Sequence, residues 1–104
     1  MRHAKRTDEN HAAIVAEIRT VLPDATLLDL SGSGKGCPDV CIGWKGRNWF
    51  YELKNPGQPP SKRKLTPMQS ELHQGWQGHM AVAHSAAEIC ADLARNSHRE
   101  TGKP

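Results

Sequence analysis

The sequence predicts an α/β fold: a mixed β-sheet flanked by helices, in the order α-β-β-β-α-β-α. Three observations predict it. Apolar residues recur at helical spacing near the start, at Ile14, Ile18, Val21 and Leu22. Short apolar runs bounded by Gly, Pro and Asn fill the middle of the chain and read as strands. Two capping signatures, Thr66 with Gln69 and Ser85 with Glu88, open helices in the second half.

The first helix is expected from Thr7 to Leu22, stopped by Pro23. Ala25 to Leu30 fits a strand, and Ser31 to Gly36 is a glycine-rich loop. Pro38 to Gly43 and Asn48 to Lys54 read as two strands of a hairpin around Trp44-Lys45-Gly46-Arg47, a tight turn. Asn55 to Leu65 carries three prolines and is expected to hold no regular element. Pro67 then starts a helix ending near Gly78, with Met68, Leu72 and Trp76 on one apolar face. His79 to His84 reads as a strand, and Ser85 starts a last helix with Ile89 and Leu93 facing inward.

With 104 residues the chain makes one domain and a modest core. Residues 1–6 and 96–104 are polar and are expected to be flexible. Nothing approaches the roughly 20 apolar residues of a membrane span. The first ten residues lack the apolar core of a secretory signal, so a cytoplasmic protein is expected. Cys37, Cys41 and Cys90 lack paired metal-site spacing and read as reduced thiols. A net charge of +3 tolerates a polyanionic partner without demonstrating one.

The chemistry concentrates on the hairpin. Glu52 and Lys54 are two apart, so a strand points both to one face. If Lys45-Gly46 is a two-residue loop, Asp39 falls opposite Glu52, with Cβ atoms roughly 5 Å apart. Two carboxylates that close need a proton or cation between them, and a hard divalent cation takes oxygen ligands. A lysine one pleat on would position a water or contact a phosphate, a layout suited to metal-assisted hydrolysis. The plainer account is a surface charge cluster worth at most about 1 kcal/mol.

Gly36-Cys37-Pro38-Asp39-Val40, Tyr51-Glu52-Leu53-Lys54 and Leu65-Thr66-Pro67-Met68-Gln69 together resemble the PD-(D/E)XK nuclease superfamily, and within it the small stand-alone VRR-NUC domains of phages and bacteria. The resemblance covers roughly residues 17–88. It implies a restriction-endonuclease-like fold and a nuclease acting on DNA, on branched or structured forms such as junctions. It implies Mg²⁺, with Mn²⁺ able to substitute, held by Asp39, Glu52 and the Leu53 carbonyl. Lys54 would orient or activate the attacking water. Glu17 matches an additional acidic ligand, and an exposed helix charge explains it equally. Gln69 matches a polar position lining the site, and its capping role also accounts for it.

Lys62, Arg63 and Lys64 form a basic run after the active-site strand, placed to grip a nucleic-acid backbone or to solubilise a loop. Lys35 lies in the glycine loop, which lacks the GxxxxGK[ST] spacing, so nucleoside triphosphate binding is not expected; the loop beside Asp39 is instead expected to let a DNA backbone approach, with Lys35 as a nucleic-acid contact. Symmetric cutting of a junction needs two active sites, so a homodimer is expected. A non-catalytic nucleic-acid-binding module with the same fold is the alternative.

Overall fold

The computed structural model describes residues 10–101. It is an α/β domain with a four-stranded mixed sheet flanked by helices. The elements run α1 (His11–Val21), β1 (Thr26–Asp29), β2 (Val40–Trp44), β3 (Arg47–Leu53), α2 (Pro60–Arg63), α3 (Pro67–Gly75), β4 (His79–Ala83) and α4 (Ala86–Thr101). The sheet order is β1-β2-β3-β4. The first three strands are antiparallel, and β4 lies parallel to β3, reached through α2 and α3.

The hairpin turn fixes the register. Lys45 and Gly46 both have positive φ, 52° and 76°, the backbone of a two-residue turn whose twist matches that of the strands. Trp44 therefore pairs with Arg47, and the ladder runs back to Val40 opposite Tyr51. Alternation along β3 then sorts its side chains. Trp49, Tyr51 and Leu53 are buried in a core with Ile14 and Ile18 of α1 and Ile89 and Leu93 of α4. Asn48, Phe50 and Glu52 point to the opposite face, where Phe50 meets Trp76 and Glu52 meets Gln69 of α3.

Three expectations are corrected. A short helix, α2, occupies Pro60–Arg63 inside the proline-rich segment. Pro60 sits at a helix start, where its missing N–H costs nothing. The helix α3 stops at Gly75, and Trp76 follows it in an extended conformation. Its apolar stripe is not core, since no α3 residue is buried and Met68 lies on the surface. The helix α4 runs on past Asn96 to Thr101. Residues 1–9, with the expected helix start at Thr7, and 102–104 lie outside the described residues.

Candidate active site

Pro38 cannot donate to a ladder, and β2 begins just beyond it. The Asp39 N–H donates to the Tyr51 carbonyl at 3.0 Å, so Asp39 and Val40 both face Tyr51, as at a β-bulge. Asp39 therefore does not sit squarely opposite Glu52 as the simple register predicts. Its carboxylate instead accepts the Leu53 N–H at 2.8 Å, closing the end of β3. A strand residue sends its N–H and C=O toward the same neighbour, so the Leu53 carbonyl leaves on the Asp39 side.

Three ionisable side chains are buried together here: Asp39 (9% exposed), Glu52 (4%) and Lys54 (8%). Burying charge is costly unless partners compensate. The Lys54 Nζ donates to Gln69 Oε1 at 3.2 Å and lies 3.6 Å from Glu52 Oε2. The Gln69 Nε2 donates to Glu52 Oε2 at 2.8 Å. Glu52 Oε1 is buried and accepts no hydrogen bond among the described residues. Burial, then the Asp39 charge, push the Glu52 carboxyl up to about 7, against the pull of Lys54.

Gln69 serves the helix and the site at once. Its backbone N–H donates to Thr66 Oγ1 at 3.2 Å, and its Oε1 accepts the Thr66 N–H at 2.8 Å, a complete capping box. The same side chain reaches Glu52 and Lys54. Gly36 lets this helix start approach: a Cβ there would lie 3.1 Å from the Met68 backbone, and its φ is +81°.

The residues around this cluster divide. His73, one turn after Gln69, has its Nε2 buried without a partner among the described residues. Burial and then the Lys54 charge lower its pKa, so it belongs to the surroundings of the site. Asn10, which sequence reasoning passed over, donates from Nδ2 to the Lys54 carbonyl at 3.4 Å. Glu17 is not brought to Asp39 and Glu52. It is exposed, and its charge acts on Cys90 of α4. Seven residues separate it from Asn10, about 10 Å along the helix, so it lies further along α1 than the residue that meets Lys54. No group of three His, Cys, Asp or Glu side chains able to hold a metal occurs among the described residues. Two carboxylates with one carbonyl are therefore the oxygen set at hand.

Lys62 and Lys64 are exposed, while Arg63 is half-buried with its Nε unpartnered among the described residues. Lys35 is exposed, at positive φ, and lines a surface hollow with Met68, Glu71 and Trp76. The helix α4 holds a second polar cluster across the sheet. The Tyr51 hydroxyl donates to Asp92 at 2.7 Å, and the same carboxylate oxygen meets His79 Nε2. A charge beside Leu93 on an amphipathic helix is the signal that could have located it. No helix among the described residues is long and apolar enough to cross a membrane.

Comparison with models of known protein families, with curated proteins and with solved structures gave no match, so the assignment of these residues rests on their geometry and chemistry.

Proposed function

We propose that the chain is a divalent-metal-dependent endonuclease that hydrolyses DNA phosphodiester bonds, a cytoplasmic nuclease of the PD-(D/E)XK type resembling stand-alone VRR-NUC domains. The observation that carries the reading is Glu52. Its Oε1 is buried without a hydrogen-bond donor among the described residues, beside Asp39 and within reach of Lys54. Such an oxygen in a carboxylate pair is the donor a hard cation takes. Asp39, Glu52 and the Leu53 carbonyl would hold Mg²⁺ or Mn²⁺, which supplies Lewis acidity at the phosphate.

The chain's own side chains do the rest. Gln69 fixes Glu52 Oε2 and leaves Oε1 for the cation. It also accepts from Lys54, which holds the ammonium beside Glu52. There Lys54 orients the attacking water and offsets charge building on the phosphate. Lys62, Arg63 and Lys64 supply backbone contacts, which add affinity and salt dependence without reading sequence. Branched DNA such as a junction is the substrate this reading favours, cut by a homodimer with two sites.

The test is cleavage of labelled duplex, flap and four-way DNA with and without Mg²⁺ or Mn²⁺. Metal-dependent cutting is expected, lost in Asp39→Asn and Glu52→Gln while DNA binding persists. Lys54→Ala should keep metal binding, measured by Mn²⁺ calorimetry, and lose about a hundredfold or more in rate. Absence of cutting on every substrate overturns the enzymatic reading, and DNA binding without cutting would mark a non-catalytic module.

A further inference from the structure

A hollow of about 710 Å³ opens beside the start of β4, lined by Arg47, Asn48, Phe50, Trp76, Gln77 and Asn96 among others. The proposed catalytic residues do not line it. Its size falls in the range of small-ligand sites. Its chemistry is aromatic and amide. Trp76 is 41% exposed and stands edge-to-face on Phe50, with ring centroids 5.3 Å apart. The Asn48 side chain is exposed and has no hydrogen-bond partner among the described residues. Gln77 is exposed and, among the described residues, donates only to the nearby Gly75 carbonyl, its own side-chain carbonyl oxygen having no partner there. Among the described residues that line it there is no carboxylate; Arg47 brings a positive charge, while His79 and Asn96 are already bonded to Asp92.

The hollow lies in line with the catalytic strand. Asn48, Phe50 and Glu52 share one face of β3, so Phe50 is about 7 Å and Asn48 about 13 Å from Glu52 along the strand. At ~3.4 Å per stacked nucleotide, that is about two to four steps from the bond being cut. A strand whose phosphate sits at Glu52 and Lys54 would therefore carry its neighbouring bases past Phe50 and Trp76. An exposed ring, Trp76, backed by the half-buried Phe50 and set beside amide groups is the chemistry that receives a base, by stacking and by hydrogen bonds to its edge.

We propose that this hollow is a stacking site for one unpaired nucleobase of the strand being cut, held on Trp76 and Phe50 and contacted by Asn48 and Gln77. The proposal rests on the nuclease reading. A base inside a duplex cannot enter such a hollow without leaving its stack, which costs a few kcal/mol. The site therefore favours substrates that already present an unpaired nucleotide a few steps from the cut.

The test separates binding from cutting. Fluorescence anisotropy in EDTA compares a short labelled oligothymidylate with a fully paired duplex, using the full chain. Trp76→Ala should weaken single-strand binding about tenfold, the lower end for loss of one base–aromatic stack, and leave duplex binding near wild type. Trp76→Phe should restore most of the affinity. Should Trp76→Ala fail to fold, Asn48→Ala combined with Gln77→Ala, both at exposed positions, should weaken the single strand selectively by several-fold. A folded Trp76→Ala that binds the single strand as tightly as wild type overturns the proposal, as does a wild type that does not bind it. Cleavage in Mg²⁺ is read separately. A wild type that cuts nothing but loses single-strand affinity with Trp76 would refute the nuclease reading and leave the base site standing.

Discussion

Glu52 shows what burial does to a single carboxyl. Its pKa rises from 4.5 to about 7, through burial first and Asp39 second. Between those pH values the native state keeps a proton that the unfolded chain has lost. Metal-free stability should therefore fall as pH rises through that window, by on the order of 3 kcal/mol at about 1.4 kcal/mol per pH unit. Glu52→Gln should flatten that slope, and thermal melts at pH 5 and pH 8 in EDTA would show it. A cation competes with this proton, so Mg²⁺ should raise the melting temperature more at pH 8 than at pH 5. Equal shifts at the two pH values would contradict metal binding at Glu52. Gln69 carries two loads at the same scale. Thr66→Ala removes only the cap and should cost about 1 kcal/mol. Gln69→Ala should cost about 1–3 kcal/mol and also slow cleavage, because it strips Glu52 and Lys54 of their shared partner.

Among the elements, the glycine loop and the start of α3 act as one piece. The close approach of Gly36 to the Met68 backbone brings the first turn of α3 over the end of β3. Gly36→Ala adds a Cβ at positive φ in a space that backbone atoms already occupy. It should destabilise by about 2 kcal/mol or more in urea titration. Gly32→Ala, where nothing lies within 4 Å, is the control and should be nearly silent. The hairpin turn makes the matching case for register. Lys45 sits at φ 52°, a conformation Asn adopts more readily, so Lys45→Asn should be neutral or slightly stabilising.

For the whole molecule, the sheet separates two polar systems. One face carries Glu52, Gln69 and Trp76, and the other is closed by α1 and α4 over the core. The Tyr51–Asp92–His79 cluster ties that closed side to β3 and β4. Burial works to raise the Asp92 carboxyl, but hydrogen bonds from Tyr51 and His79 outweigh it and hold it below its ordinary range. The stability this gives is present above the unfolded carboxylate pKa and is lost as pH falls through the native one. Asp92→Ala should cost about 2 kcal/mol at pH 7, because it strands the buried Tyr51 hydroxyl. The difference from wild type should shrink in acid, and denaturant titrations at the two pH values would measure it. Sedimentation at several protein concentrations tests the proposed homodimer, and a monomer throughout would argue against paired junction cutting.

Local chemistry was legible in the sequence wherever one residue or one short spacing decides it. The pairing of Trp44 with Arg47 followed from a two-residue turn, and the start of α3 from Thr66, Pro67 and Gln69. The grouping of Glu52 with Lys54 followed from strand alternation. These are near-neighbour rules, with geometry fixed by covalent structure and periodicity. The bulge at Asp39, the burial of Lys54, the reach of Gln69 across to Glu52 and the distance of Glu17 from both were decided only by tertiary structure. So was the placement of Trp76 beyond its helix, exposed against Phe50. Each depends on how α1 and α3 dock on the sheet, and a dock between elements far apart in the chain leaves no fixed spacing to read.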